Sequence, residues 1–278
     1  MQGIFTRTEI PSLKRLLLLI LLLAAACTTP RGVQPEDLPT RASIEGMATA
    51  LPLTQNAPPA PYDTTITAFS NVDNGLADLS GWRYVVQLDF DGVFADTPRA
   101  ATASAQAEVS FNQLASARRI NVTTSGELIG QTEDTSYEAV RLGPDAFLIK
   151  DGACSQGNAA AKTAADLRAG ELVGGVSRAV PGGRRATINS EDVYLYSFDA
   201  ADLVLPSIRV GDNGSIALTN GELWISPTRN AVVRFYLNLD VQNVAIFDRQ
   251  LPVSGQVRMR YDLYDVGDDF NITTPFGC

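Results

Sequence analysis

Five segments of this chain alternate apolar and polar residues with a period of two, and this pattern constrains the fold more than any other feature. The segments are WRYVVQLDF (82–90), AQAEVSF (105–111), ARRINVT (117–123), NAVVRFYLNLD (230–240) and QVRMRYDLYD (256–265). Successive side chains of a strand point to opposite faces, so each segment has one apolar and one polar face. Strands of this kind belong to antiparallel sheets, because parallel sheets are covered on both faces.

Shorter strand candidates lie between these segments. They are SYEAVRL, DAFLIK, DVYLYSF and GELWIS, and turn-rich sequences at 143–144, 181–183 and 212–214 separate them. The pattern predicts an α+β fold with one large antiparallel sheet of about eight to ten strands. The few helices should lie on the apolar face of this sheet.

Three helical segments are predicted in the same region. Ile66, Phe69, Val72, Leu76 and Leu79 have helical spacing, and Gly81 follows them. A second helix is expected from Asn158, an N-cap residue, to Gly170, and a single turn is expected to start at Asp199.

The N-terminal segment has the order of a secretory signal peptide. Basic residues precede the uncharged run 16–26, small residues close it, and Cys27 follows directly. Eleven residues are too few to span a hydrocarbon core of ~30 Å. The segment around Cys27 resembles a bacterial lipobox, in which acyl chains such as palmitate are attached to the cysteine. The alternative is an ordinary secretory signal in which Cys27 has no role.

These features divide the chain into three parts. Residues 1–26 are predicted to be a lipoprotein signal peptide, and residues 27–61 a lipidated tether whose many prolines prevent regular pairing. A short amphipathic helix at 44–51 is expected to dock onto the folded domain, and binding to the membrane surface is the alternative. Residues 62–278 are predicted to form a single domain.

Cysteine content gives a further expectation. Removing the acylated cysteine from the three present leaves Cys154 and Cys278, in a compartment where disulfides persist. We expect these two to pair, and two unrelated thiols are the alternative.

Composition and motifs exclude several functions. The net charge of −9 argues against binding nucleic acid. The absence of histidine removes Ser-His and Cys-His nucleophiles and histidine metal sites. Acidic groups at 89–91 and 265–271 lack the ligand spacing of a calcium-binding EF-hand, and no particular pair of carboxylates indicates a glycosidase. We therefore expect no enzymatic activity, metal or cofactor.

The order of these segments resembles the LppX/LprG-like lipoprotein family and, more loosely, the LolA/LolB lipoprotein carriers. The resemblance rests on the lipobox, the Pro-rich spacer, WRYVVQLDF, ASAQAEVSF, DAFLIKDGAC, VYLYSFDAADL, GELWISPTRNAVVRFYLNLD and VRMRYDLYDVG. It implies a curved half-barrel whose concave apolar face, covered by helices, holds acyl chains. It also implies an extracytoplasmic protein anchored to the outer face of the cell membrane.

A lipid or an acylated molecule is therefore the expected ligand, and we expect a monomer. The candidate lipid-binding residues are Val86, Leu88, Val109, Phe111, Phe235, Leu237 and Met259. Trp224, Tyr194, Tyr196 and Phe198 either line a cavity or pack in the core. The alternative function is a non-enzymatic structural or interaction module with the same sheet filled by its own side chains.

Overall fold

The five alternating segments all form strands. The computed structural model describes residues 67–129, 135–247 and 251–278. The signal peptide, Cys27 and the predicted helix at 44–51 lie outside these residues. The described part belongs to one compact unit that spans Pro59–Cys278.

Thirteen strands are found among the described residues, more than the eight to ten expected. They are β1 (Thr67–Phe69), β2 (Gly81–Phe94), β3 (Ala100–Asn112), β4 (Ala117–Ser125), β5 (Thr135–Leu142), β6 (Asp145–Lys150), β7 (Ala153–Gln156), β8 (Gly175–Ile188), β9 (Glu191–Ser197), β10 (Leu203–Val204), β11 (Ile208–Ser226), β12 (Ala231–Ile246) and β13 (Val253–Tyr264).

The strands form one open antiparallel sheet in the order β1-β8-β9-β11-β12-β13-β2-β3-β4-β5-β6-β7, with β10 beside β8. It is not closed into a barrel. The predicted large antiparallel sheet is therefore confirmed.

Register aligns the apolar faces of neighbouring strands. One continuous row across six strands consists of Phe235, Tyr261, Val86, Ala107, Val122 and Tyr137. We call the side of the sheet that carries this row the inner face. The main hydrophobic core lies on this inner face. Burial of the core fixes the register, because a shift of one residue in any strand would turn that strand's apolar side chains outward.

Two short helices pack against the inner face. Helix α1 (Ala159–Asp166) begins after Asn158, whose side chain accepts a hydrogen bond from the Ala161 amide at 2.8 Å. The predicted helix to Gly170 is interrupted at residues 167–168, where the backbone is extended, and α2 (Ala169–Val173) follows. The turn predicted at Asp199 is present as a 3₁₀ turn, Ala200–Asp202. Within the described part of the chain, no helix is long and apolar enough to cross a bilayer.

The helix predicted over residues 66–79 is wrong. Residues 67–69 form β1, which pairs with β8, and only Leu76–Asp78 makes a 3₁₀ turn. Phe69, Val72, Leu76 and Leu79 are all buried as the pattern requires. Their spacing suits an irregular segment that crosses the core as well as it suits a helix, and the Val72 amide bonds the Gly174 carbonyl instead of a helical partner.

Two predicted turns are also wrong. The sequences at 181–183 and 212–214 lie inside the long strands β8 and β11, at points where the pairing register shifts. Gly183 (φ 72°) and Asn213 (φ 57°) adopt the left-handed conformation that such bulges need. The turn at 143–144 is confirmed and connects β5 to β6.

The C-terminal segment crosses the outer face of the sheet. Ile272 packs against Ala117 and Val140, and the Phe270 carbonyl accepts a hydrogen bond from Asn112 at 2.9 Å. The segment ends in a disulfide between Cys154 of β7 and Cys278, with their Cα atoms 5.4 Å apart. The predicted pairing of these cysteines is present in the structure.

A candidate apolar binding pocket

An apolar pocket of about 240 Å³ opens above β3, β4 and β5 on the inner face. It is lined by Ala105, Gln106, Ala107, Val122, Thr124, Ile129, Tyr137, Leu167, Leu172 and Phe247. Most of these side chains are apolar, so the pocket suits a hydrocarbon group.

The pocket exists because the inner face of β3 carries small side chains. Ala105 lies opposite Leu88 of β2, and Ala107 lies opposite Val86. The larger side chains of β2 fill the space above that strand, whereas the methyl groups of β3 do not. The space that remains is bounded on the far side by Tyr137 of β5.

The wall above the sheet comes from segments outside the sheet. Leu167 lies between α1 and α2, and Leu172 lies within α2. Phe247 follows β12, and its amide donates to the Ser207 carbonyl at 2.9 Å. The Ser207 hydroxyl in turn donates to the Leu172 carbonyl at 2.5 Å. These hydrogen bonds hold two parts of the wall together.

A buried polar cluster lies where α2 begins. The Tyr84 hydroxyl accepts hydrogen bonds from Arg118 at 2.9 Å and from the Ala169 amide at 3.1 Å. Arg118 also donates to the Leu167 carbonyl. The connection between α1 and α2 is thereby fixed to β2 and β4 through polar groups.

The same cluster contains further polar groups. Arg168 donates to the buried carboxylate of Asp73 at 3.0 Å. The rings of Tyr84 and Tyr261 are 5.4 Å apart, and Tyr261 is fully buried. Within the described residues, Arg118 Nε, Asp73 Oδ1 and the Tyr261 hydroxyl are buried without a hydrogen-bond partner.

Burial changes the acidity of the two tyrosines. Desolvation raises the pKa of Tyr84 to about 12, although the neighbouring Arg118 opposes this shift. Desolvation also raises the pKa of Tyr261 well above its usual value, and the nearby Tyr84 and Asp73 add to this effect. At alkaline pH, both phenols therefore stay neutral in the folded protein, whereas the same groups ionise in the unfolded chain.

Alkaline pH should therefore destabilise the fold. Below pH 10 Tyr84 is neutral in both states, and its contribution is complete. Above pH 10 the unfolded chain loses the phenolic proton first, so the free energy of unfolding should fall by roughly 1.3 kcal/mol between pH 9 and 11 from Tyr84 alone. Urea unfolding at the two pH values should show a smaller fall for Tyr84→Phe than for the wild type. Equal falls in the two proteins would contradict the raised pKa of Tyr84.

The seven residues predicted to bind lipid lie in the main core or pack against it. Six of them, Val86, Leu88, Val109, Phe235, Leu237 and Met259, are at most 1% exposed and pack in the main core. Phe111 is half-buried and stacks on Trp82 with ring centroids 5.1 Å apart. None of the seven is among the described residues that line the pocket.

The aromatic residues of β9 and β11 have separate surroundings. Trp224 packs with Val193 and Val233 in a small cluster apart from the main core. Tyr196 and Phe198 border a second and more polar pocket of about 420 Å³ between β9 and β11. The mixed lining of this pocket makes it less suitable for a hydrocarbon chain.

The acidic groups considered as calcium sites have protein partners. Asp89 accepts hydrogen bonds from Gln87 at 2.8 Å and from Ser104 at 2.7 Å. Asp265 pairs with Arg83 at 2.7 Å. Within residues 67–129, 135–247 and 251–278, no group of three acidic or cysteine residues is arranged to hold a metal ion.

Comparisons with known proteins find similar solved structures. No protein-family model and no curated protein matches the chain. The crystal structure of LprF from Mycobacterium bovis is similar with a TM-score of 0.38 and 16% identity, over 74% of this chain and 93% of LprF. A DUF1329 family protein from Desulfovibrio piger is similar with a TM-score of 0.23 and 10% identity, over 74% of this chain and 96% of that protein.

Proposed function

We propose that this protein is a membrane-anchored extracytoplasmic lipoprotein that binds an acyl chain in the pocket above β3–β5 and performs no covalent chemistry. The observation that carries the proposal is the pocket itself, an apolar space between the sheet and the α1–α2 segment. Acyl binding requires apolar surface, because each Å² of hydrocarbon removed from water contributes ~25 cal/mol. It requires no reactive group.

The wall of the pocket suggests how a chain enters. Leu167 and Leu172 belong to a segment that is attached to the sheet through side chains and isolated backbone contacts, not through a strand ladder. Movement of this segment would widen the pocket without breaking strand pairing. We therefore propose that the α1–α2 segment covers the apolar face. In this proposal the sheet is a half-barrel, and its concave face is the face that the segment covers.

Cys27 supplies the proposed attachment to the outer face of the membrane. A stable hold requires more than one acyl chain, since a single chain gives only marginal binding. The tether at 27–61 would let a monomeric binding domain reach a ligand near the bilayer surface.

A structural or interaction module is the second candidate function. The dense packing of Val86, Leu88 and Phe235 favours it, because most of the inner face is filled by the protein's own side chains. The two candidates differ in one property, the presence of bound lipid.

Filling the pocket tests the proposal. In the full chain, Ala105→Phe should leave the melting temperature about level, because the new ring occupies empty space. Bound lipid, extracted with organic solvent and measured by mass spectrometry, should fall several-fold. Ala103→Phe is the matched control, because Ala103 is buried on the same face of β3 but does not line the pocket. It should be destabilised by ~1–3 kcal/mol through overpacking and should keep its lipid.

Acyl chains of the anchor must be separated from pocket lipid in this experiment. Solvent extraction removes non-covalent lipid only, and Cys27→Ala should lose the covalent chains while its pocket still fills. A wild-type protein that carries no extractable lipid and takes none up from liposomes would refute the proposal and favour the structural module. Equal lipid in wild type and Ala105→Phe would place the lipid outside this pocket.

A further inference from the structure

We infer that the ligand is a single acyl chain that ends in an anionic oxygen group, a carboxylate or a phosphate, and that Arg118 binds this group. This inference rests on the proposed function and names the class of ligand for the same pocket. It follows from the charge, the hydrogen-bonding capacity and the size of the site.

Arg118 differs from Arg168 in having no carboxylate beside it within the described residues, whereas Arg168 has both Asp73 and Glu171 nearby. Arg168 neutralises Asp73 through an ion pair of 3.0 Å. Arg118 lies on the inner face, and within the described residues no carboxylate pairs with it; its bonds go to the neutral Tyr84 hydroxyl and Leu167 carbonyl. A partly buried charge without a counter-ion is unfavourable, and an anionic ligand would supply the missing charge.

A buried donor of Arg118 has unused capacity. Arg118 Nε has no hydrogen-bond partner within the described residues, and buried polar groups in native proteins are rarely left so. An anionic oxygen group accepts hydrogen bonds from a guanidinium. Arg119 Nε on the outer face also lacks a hydrogen bond, but it lies 3.0 Å from a carboxylate oxygen of Glu138. The Tyr261 hydroxyl is unpartnered as well, but the Asp73 carboxylate nearby disfavours an anion there. Asp73 Oδ1 is also unpartnered, but Arg168 already balances the charge of this carboxylate.

The polar cluster and the apolar pocket share a wall. Leu167 lines the pocket with its side chain, while its carbonyl accepts the hydrogen bond from Arg118. Arg118 and the pocket residue Val122 lie on the same face of β4, four residues apart, which corresponds to roughly 13 Å along the strand. A chain in the pocket can therefore direct its end toward the guanidinium when the α1–α2 segment moves.

The size of the pocket limits the number of chains. Its volume of about 240 Å³ is below the 300–1,000 Å³ that sites for drug-sized ligands usually have. The space holds no more than one hydrocarbon chain, and it is too small for the two or three chains of a typical membrane lipid.

Binding of defined probes tests the inference. Palmitic acid, hexadecyl phosphate, hexadecanol and a two-chain phosphatidic acid are titrated into the delipidated full chain with Cys27→Ser, which removes the anchor. The wild-type protein should bind the single-chain acids about tenfold or more tightly than hexadecanol, because charge-assisted hydrogen bonds are the stronger kind. The two-chain lipid should bind more weakly than either acid. The tighter of the two acids identifies carboxylate or phosphate as the preferred group.

Arg118→Met should reduce the affinity for both acids to the level that the variant shows for hexadecanol. Arg118→Lys should keep part of the preference for acids. The matched control is Arg119→Met on the same strand, because Arg119 pairs with Glu138 at 3.0 Å and faces the other side of the sheet. This control should behave as wild type. A purely structural role of Arg118 would weaken all probes alike.

The outcomes separate the two proposals. If no probe binds the wild type, the proposed function fails together with this inference. If hexadecanol binds as tightly as the acids, the pocket function stands and the role of Arg118 is refuted. If Arg118→Met does not fold, the wild type and Arg118→Lys are compared instead. Affinities for the acids that equal the affinity for hexadecanol in both proteins would refute the inference.

Discussion

Loss of the Cys154–Cys278 disulfide is expected to lower the free energy of unfolding by about 4–5 kcal/mol. The bond closes a loop with a sequence separation of 124 residues. A loop of this length strongly restricts the unfolded chain, and the chain-entropy treatment gives an effect of this size. Opening the bond returns that freedom to the unfolded state.

The folded state should survive the loss of this bond. The C-terminal segment is also held by the packing of Ile272 and by the hydrogen bond from Asn112 to the Phe270 carbonyl. A further hydrogen bond joins Arg119 to the Thr273 carbonyl at 3.3 Å. These contacts lie on the outer face, so loss of the disulfide should leave the pocket on the inner face unchanged.

Urea unfolding of the full chain with and without reductant measures this effect. The double variant Cys154→Ala/Cys278→Ala should match the reduced wild type and should not respond to reductant. A change below about 1 kcal/mol would mean that the unfolded chain gains little freedom and would contradict the prediction. Alkylation of Cys154 and Cys278 in the native protein before reduction would contradict the disulfide itself.

The sequence predicts the sheet well because one face of each long strand is buried and the other is wet. Residues 82–90 and 256–265 show this alternation clearly, and they pair with each other as β2 and β13. The capping function of Asn158 was equally predictable, because it depends on neighbours along the chain. Local rules succeed where the structure depends on local contacts.

The spacing of apolar residues does not predict secondary structure where tertiary contacts determine the backbone conformation. Phe69, Val72 and Leu76 repeat at helical intervals, but their segment passes over the core as a short strand and a turn. The glycine-rich sequences at 181–183 and 212–214 could equally end a strand or form a bulge within one. Only pairing with β9 and β12 determines that the strands continue.

The sequence pattern does not predict the position of the pocket, for a different reason. Alternation points to large apolar residues as candidates, but large side chains fill space and therefore mark the core. The signal was present in the alternating alanines of β3, Ala101, Ala103, Ala105 and Ala107, which are all buried on the inner face. Small residues at strand spacing show where a hollow can form, but only the elements above the sheet determine whether it stays open.

Phe235 provides the sharpest test of this distinction between core and pocket. Its side chain is fully buried on the inner face, and its ring centroid lies 5.9 Å from that of Phe198. Phe235→Ala should lower the free energy of unfolding by ~3–5 kcal/mol, because a close-packed site cannot collapse around the lost ring. Bound lipid per folded molecule should stay at the wild-type level, since Phe235 does not border the pocket.

Tyr137→Ala gives the opposite pattern and serves as the paired variant. Tyr137 lines the pocket and is only half-buried, so its truncation should destabilise the fold less than Phe235→Ala while bound lipid falls. Urea unfolding and lipid mass spectrometry on the same preparations measure both quantities. If Phe235→Ala cannot be purified, Phe235→Leu keeps the comparison with a smaller cavity. A loss of lipid in the Phe235 variant with little change in stability would move the acyl site from β3–β5 to the centre of the sheet, where the sequence had first placed it.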